Sequence, residues 1–91
     1  MATDAVWVKV DAERVVQAFE EAGEKLADAP AEVVLDFSSV YRIDPGALRA
    51  MKNFADRVDG KGTRIILRSV NIHIYKVLKL MKLAPRFAFR T

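Results

Sequence analysis

Two runs of consecutive aliphatic residues, Val33-Val34-Leu35 and Ile65-Ile66-Leu67, constrain the fold of this chain most strongly. A strand with one wet face alternates apolar and polar side chains, whereas an unbroken β-branched run marks a strand covered on both faces. Between the two runs, Ala47, Leu48, Met51, Phe54, Ala55 and Val58 recur at helical spacing, with Arg49, Lys52, Asn53 and Asp56 on the other side. Buried strands separated by an amphipathic helix predict a crossover connection and parallel pairing.

The same alternation extends in both directions. Val6, Val8 and Val10 alternate with Ala5, Trp7 and Lys9, a strand with one strongly apolar side. Asp11 is placed to cap a helix in which Val15, Val16, Phe19, Ala22 and Leu26 share one arc. Gln17, Glu20, Glu21 and Glu24 form its solvated face, and Ala27–Ala31 with Pro30 ends it. Asp44-Pro45 starts the second helix, Asp as N-cap and Pro where no amide is needed; Gly60-Lys61-Gly62 stops it. Asn71 can cap a third helix with the seam Ile74, Val77, Leu78 and Met81, ended by Pro85. Phe87 and Phe89 alternate with Ala88 and Arg90 in a closing strand. The order β-α-β-α-β-α-β predicts an α/β fold, a single-layered, mostly parallel four-stranded sheet with three main helices, forming one domain over residues 1–91.

Composition narrows the function. The chain has no cysteine, which removes disulfides, thiolate zinc sites and cysteine nucleophiles together. The start MATDAVWVKV lacks a secretory pattern, and no apolar run approaches the roughly 20 residues of a membrane span, so a cytoplasmic protein is expected. Residues 1–40 carry nine acidic and three basic side chains, whereas residues 41–91 carry twelve basic and three acidic. A basic half of net +9 admits a nucleic-acid binder with steep salt dependence. Without aromatics interleaved among the cations as stacking platforms, helix faces of differing sign are the favoured reading and nucleic acid is not the expected partner.

No catalytic set emerges. His73 has no second histidine or cysteine near it, which suits a surface or capping role. Asp36 and Asp44 stand at strand ends, where α/β folds place ligands, but Asp36 suits a turn and Asp44 a cap. Gly60-Lys61-Gly62-Thr63 precedes a strand, so it lacks the helix a phosphate loop requires. Ile72, Leu80 and Leu83 lie off the seam of the third helix near Lys76 and Lys79. They predict a helix buried on two sides, or else a sticky patch for a partner, a homodimer or a membrane surface. Neither an enzyme nor a cofactor is implied.

The stretch from Val33 to Asp44, an apolar strand ending in Asp36, a turn with Ser38 and Ser39, then Asp44 heading a helix, resembles the signature of the STAS domain family. Ile65-Ile66-Leu67, Asn71 and Val77-Leu78-Lys79-Leu80 are similar to the family's next strand and final helix. The resemblance implies a bacterial, protein-binding regulatory module of the anti-sigma-factor-antagonist type. It places the partner-binding surface on Ser38, Ser39, Arg42, Asp44, Pro45, Gly46, Arg49, Lys52 and Asn53. The partner it implies is an anti-sigma factor of kinase-like fold. A resemblance to STAS subunits of ABC lipid-transport systems, through Asn71 and Tyr75, implies as the alternative a transporter ATPase.

Two departures from the family pattern stand out. Only one strand, Val6–Val10, precedes the first helix, leaving an edge open to pairing with another chain. At the helix start, where regulatory members carry two serines and phosphorylate the second, this chain has Pro45 and Gly46. A phosphate switch, which adds roughly −2 of charge to a docking surface, has no hydroxyl to act on there.

Overall fold

The computed structural model describes residues 5–28 and 30–90. The first four residues, Thr91, and Ala29 within the expected break after the first helix lie outside the described residues. The chain runs β1 (Ala5–Lys9), α1 (Val15–Lys25), a 3-10 turn (Leu26–Asp28), β2 (Glu32–Asp36) and α2 (Pro45–Val58). It continues through β3 (Arg64–Arg68), α3 (Ile72–Leu80), a second 3-10 turn (Ala84–Arg86) and β4 (Ala88–Arg90).

All strand pairings are parallel and the sheet order is β1-β2-β3-β4. Register aligns Val8 with Leu35, Leu35 with Leu67, and Leu67 with Phe89. Sequential order with right-handed crossovers puts all three helices on one face of the sheet. The core confirms this. Val8, Val10, Val33, Leu35, Ile65 and Leu67 join Phe19, Met51, Phe54, Ile74 and Leu78 in one buried cluster. The ring of Phe19 meets Phe37 and Phe54 edge to face, at centroid distances of 6.1 and 5.5 Å.

The opposite face is covered as the unbroken aliphatic runs predict, by side chains of the sheet itself. Val34 and Ile66 point there, fully buried yet outside the helical core. Their neighbours on that face are Trp7, Arg64, Arg68, Glu32 and Ala88. The Arg68 guanidinium lies 5.8 Å from the Trp7 ring centroid, and Arg64 and Arg90 both reach Glu32, at 3.5 and 3.8 Å. These long side chains, paired with one another across the strands, flank the two buried aliphatic residues.

Two expectations are corrected. Asp11 does not cap α1: its carbonyl accepts from Arg14 N at 3.0 Å, and the helix starts at Val15 after an Arg14 N-cap without a side-chain bond. The cause lies in the sheet. Val10 is buried and donates its amide to Asp36 O at 3.0 Å, so the chain must complete a turn before it can climb onto the helical face. The third helix ends at Leu80, five residues before Pro85, with Met81 exposed. Leu83 N bonds Leu78 O at 2.8 Å and Lys82 N bonds Lys79 O at 3.1 Å, while Lys82 takes φ 62°. That is a Schellman stop with lysine at the left-handed position glycine usually holds. It returns Leu83 to the core and leaves Ile72 and Leu80 in solvent, so α3 is not buried on two sides.

Local signals elsewhere act as expected. Ala47 N donates to Asp44 Oδ1 at 2.7 Å, and Ile74 N donates to Asn71 Oδ1 at 2.9 Å, so both helices carry side-chain caps. Gly60 and Gly62 have φ of 82° and 77° in the turn after α2, a conformation that strains other residues. Arg57 Nη2 donates to Gly23 O at 3.2 Å, tying α2 to the carbonyl of a buried glycine in α1.

Candidate functional site

The carboxyl ends of parallel strands face the loops that α/β folds use for recognition, and the end of β2 leads directly into the expected surface. Asp36 Oδ1 accepts from Ser38 N at 2.9 Å, and Val40 N donates to Phe37 O at 2.9 Å, closing a tight turn. Phe37 and Val40 are buried anchors, so Ser38 between them is forced outward while Ser39 is half-buried. The amide and hydroxyl of Ser38 hold the Asp36 carboxyl below its ordinary range, and the charges of Lys9 and Arg68 act the same way, against a smaller burial effect.

After Val40 the chain runs exposed through Tyr41 and Arg42 to Asp44. It is held from an unexpected quarter: Asn71 Nδ2 donates to Tyr41 O at 3.2 Å and to Val40 O at 3.4 Å. Asp44 is extended (φ −96°, ψ 174°), and Pro45 occupies the first turn of α2. Gly46 has an ordinary negative φ, and a Cβ added there would meet only Asp44 Oδ1, at 3.4 Å. The backbone does not demand a glycine. A side chain fits at this position.

Over the first three turns of α2, Arg49, Lys52 and Asn53 are exposed. Gly46, Arg49 and Asn53 line a groove of about 500 Å³ between α2 and α1, with Val16 and Glu20 on the far wall. Arg42 and Asp44 line a smaller hollow of about 240 Å³ against Glu13 and Gln17. Lys52 lines neither hollow. Its ammonium is 3.1 Å from Asp56, whose other oxygen is 3.0 Å from Arg86. These two hydrogen bonds and charges lower the Asp56 carboxyl from its ordinary range. Arg49 has no ion pair among the described residues.

The structure therefore separates the expected residues into a turn (Ser38, Ser39), a loop and cap (Arg42, Asp44, Pro45), a groove (Gly46, Arg49, Asn53) and a lysine engaged elsewhere (Lys52). Sequence reasoning missed Asn71 as a clamp on the loop, and Val16 and Glu20 as the other wall of the groove. Glu20 reads as solvated from helical spacing, and nothing within α1 reveals that α2 lies beside it. Among the described residues no group of three or more His, Cys, Asp or Glu is placed to hold a metal ion, and His73 is exposed. No helix among them is long and apolar enough to cross a membrane.

The STAS domain family matches residues 8–91. This chain belongs to the STAS domain family. A search of curated proteins finds no match. Among solved structures, the chain is similar to a crystal structure of a candidate anti-sigma factor antagonist from Thermotoga maritima, with a TM-score of 0.78 at 21% identity. That likeness covers 100% of this chain and 82% of the other. An NMR structure of the same protein gives a TM-score of 0.75 at 20% identity, over 98% and 75% of the two chains. At such identities the likeness is one of fold: a four-stranded parallel sheet with three helices in β-α-β-α-β-α-β order.

Proposed function

We propose that this chain is a non-catalytic regulatory module that binds a protein partner in the manner of an anti-sigma factor antagonist, and that it lacks a phosphate switch at the head of α2. The observation carrying this reading is the capped start of α2. Asp44 fixes the helix end, Pro45 and Gly46 present backbone without bulky side chains, and Arg49 stands beside them with no ion pair among the described residues. A rigid helix end flanked by an exposed Tyr41 and a charge-bearing groove suits docking, with tyrosine and arginine as anchors. A partner with acidic groups opposite Arg49 gains electrostatic complementarity there.

The test is affinity capture of partners by the wild-type chain and by Arg49→Glu, with the captured proteins identified. Arg49 is the better single probe, because reversing Lys52 would also break its pair with Asp56. Recovery of a kinase-fold anti-sigma factor by wild type alone supports the regulatory reading. Selective recovery of an ATPase with a Walker motif moves the same surface into an ABC transport system. Equal recovery by both baits removes the α2 surface from the interface.

A further inference from the structure

The third helix carries a face that neither the fold nor the proposed docking surface uses. Ile72, Lys76, Lys79 and Leu80 fall within an arc of roughly 100° on α3, and all are exposed. Ile72 is 58%, Leu80 81% and Met81 54% exposed, three of the five large hydrophobic side chains standing in solvent among the described residues. Lys82 follows them at the helix stop.

The segment that bears this face is basic, and only its Arg64, Arg86 and Arg90 meet acids, Glu32 and Asp56 from other elements. From Gly60 to the end of the sequence there are eight lysines and arginines and no aspartate or glutamate. The sequential strand order keeps that segment together on the β4 side of the sheet, away from the acids of α1. None of Lys76, Lys79 and Lys82 forms an ion pair among the described residues.

The geometry points to a peripheral membrane contact: the outer face and C-terminal end of α3 rest on an anionic lipid surface, with Leu80 and Met81 entering the interface and Lys76, Lys79 and Lys82 on the lipid phosphates. The side-chain chemistry selects lipid over protein. Protein interfaces favour arginine and aromatic residues and are poor in lysine. This patch holds lysines and flexible aliphatic side chains, the pairing that suits headgroups above and acyl chains below. Lys82 adds a second argument. At φ 62° it occupies a position where glycine is less strained, so its ammonium stands at the apolar tip against the local backbone preference.

The experiment is co-sedimentation of the full chain with phosphatidylcholine vesicles, with and without phosphatidylglycerol, at low and at physiological salt. Wild type should pellet only with the anionic vesicles and less so in salt. Lys82→Gly should weaken binding about fivefold, the loss expected for one surface lysine, while raising thermal stability. That combination separates lost contact from lost fold. Leu80→Gln/Met81→Gln should weaken binding in both salts, and Arg49→Glu should leave it unchanged, keeping this contact distinct from the α2 surface.

Binding indifferent to phosphatidylglycerol, or unchanged in Lys82→Gly and Leu80→Gln/Met81→Gln, would overturn the proposal. Binding to polyglutamate that is tighter than to anionic vesicles and unchanged in Leu80→Gln/Met81→Gln would assign the face to an acidic protein. A dimer dissociated by Leu80→Gln in sedimentation velocity would assign it to a second copy.

Discussion

Asn71 and Tyr41, thirty positions apart in sequence, are joined by a hydrogen bond of 3.2 Å from the Asn71 amide to the Tyr41 carbonyl, while the same side chain caps α3 through Ile74 N. One residue thus sets the start of the third helix and the course of the loop entering the second. Replacing it with alanine removes a cap and both loop bonds, so Asn71→Ala should lose about 2 kcal/mol in urea unfolding. Asn71→Asp keeps the cap acceptor but has no donor for the carbonyls. It should lose less stability while hydrogen exchange at Tyr41 and Arg42 quickens to the level seen in Asn71→Ala.

Gly46 stands where a side chain has room and no unusual backbone is required. Gly46→Ser should therefore fold normally, with a urea midpoint equal to or above that of wild type, since glycine in a helix costs roughly 0.5–1 kcal/mol relative to alanine. Gly46→Glu should also fold, because a carboxylate in the first turn of a helix interacts favourably with its dipole. If the α2 start is the docking surface, the glutamate abolishes partner capture and the serine does not.

The Asp36 carboxyl is lowered from its ordinary value of 3.8, chiefly by the Ser38 amide and hydroxyl and then by the Lys9 and Arg68 charges. A carboxyl lowered on folding contributes stability above its unfolded value, and that contribution disappears as pH falls through the lowered folded value. In Asp36→Asn the acid side of the stability curve should be flatter than in wild type below the ordinary carboxylate range. Denaturant midpoints followed from neutral pH downwards give the comparison, and identical acid limbs would refute the assignment.

Gly23 and Arg57 couple the first two helices. A Cβ at Gly23 would overlap the Arg57 guanidinium, which would swing away and surrender its bond to the Gly23 carbonyl. Gly23→Ala alone should thus be destabilising by about 1 kcal/mol, the lost charged hydrogen bond outweighing the better helix propensity. In an Arg57→Ala background the same change should stabilise by roughly 0.5–1 kcal/mol. A double-mutant cycle in urea reads the difference directly.

The fold was largely legible because its determinants are short-range. Hydrophobic period separates Val6–Val10 from the stripe of α2, and the continuous runs at Val33 and Ile65 mark central strands. Asp44 and Asn71 cap within three residues of themselves, and Gly60 and Gly62 act at their own φ. Asp11 misled because a capping residue is recognised by type alone. Whether the next residue turns at once into a helix depended on Val10 still being bound to Asp36 across the sheet.

The candidate site was legible as a stretch of chain but not as a surface. Ser38, Arg42, Asp44, Arg49 and Lys52 are neighbours in sequence, yet only packing shows that Arg49 opens on a groove shared with Glu20 while Lys52 is drawn to Asp56 and Arg86. Those partners come from other elements, and no local spacing encodes them.

By itself the sequence determined the number, type and order of the elements, the caps and stops at their ends, and the absence of a hydroxyl at Gly46. Tertiary structure alone decided that every helix lies on one face of the sheet, leaving Trp7 and Arg68 to shield Val34 and Ile66 on the other. It alone decided that Asn71 reaches back to Tyr41 and that Ile72 and Leu80 stay in solvent. Periodicity and capping act within a turn or two of one element. Sidedness, clamps and exposed patches arise from which distant elements meet, and they exist only once the chain is folded.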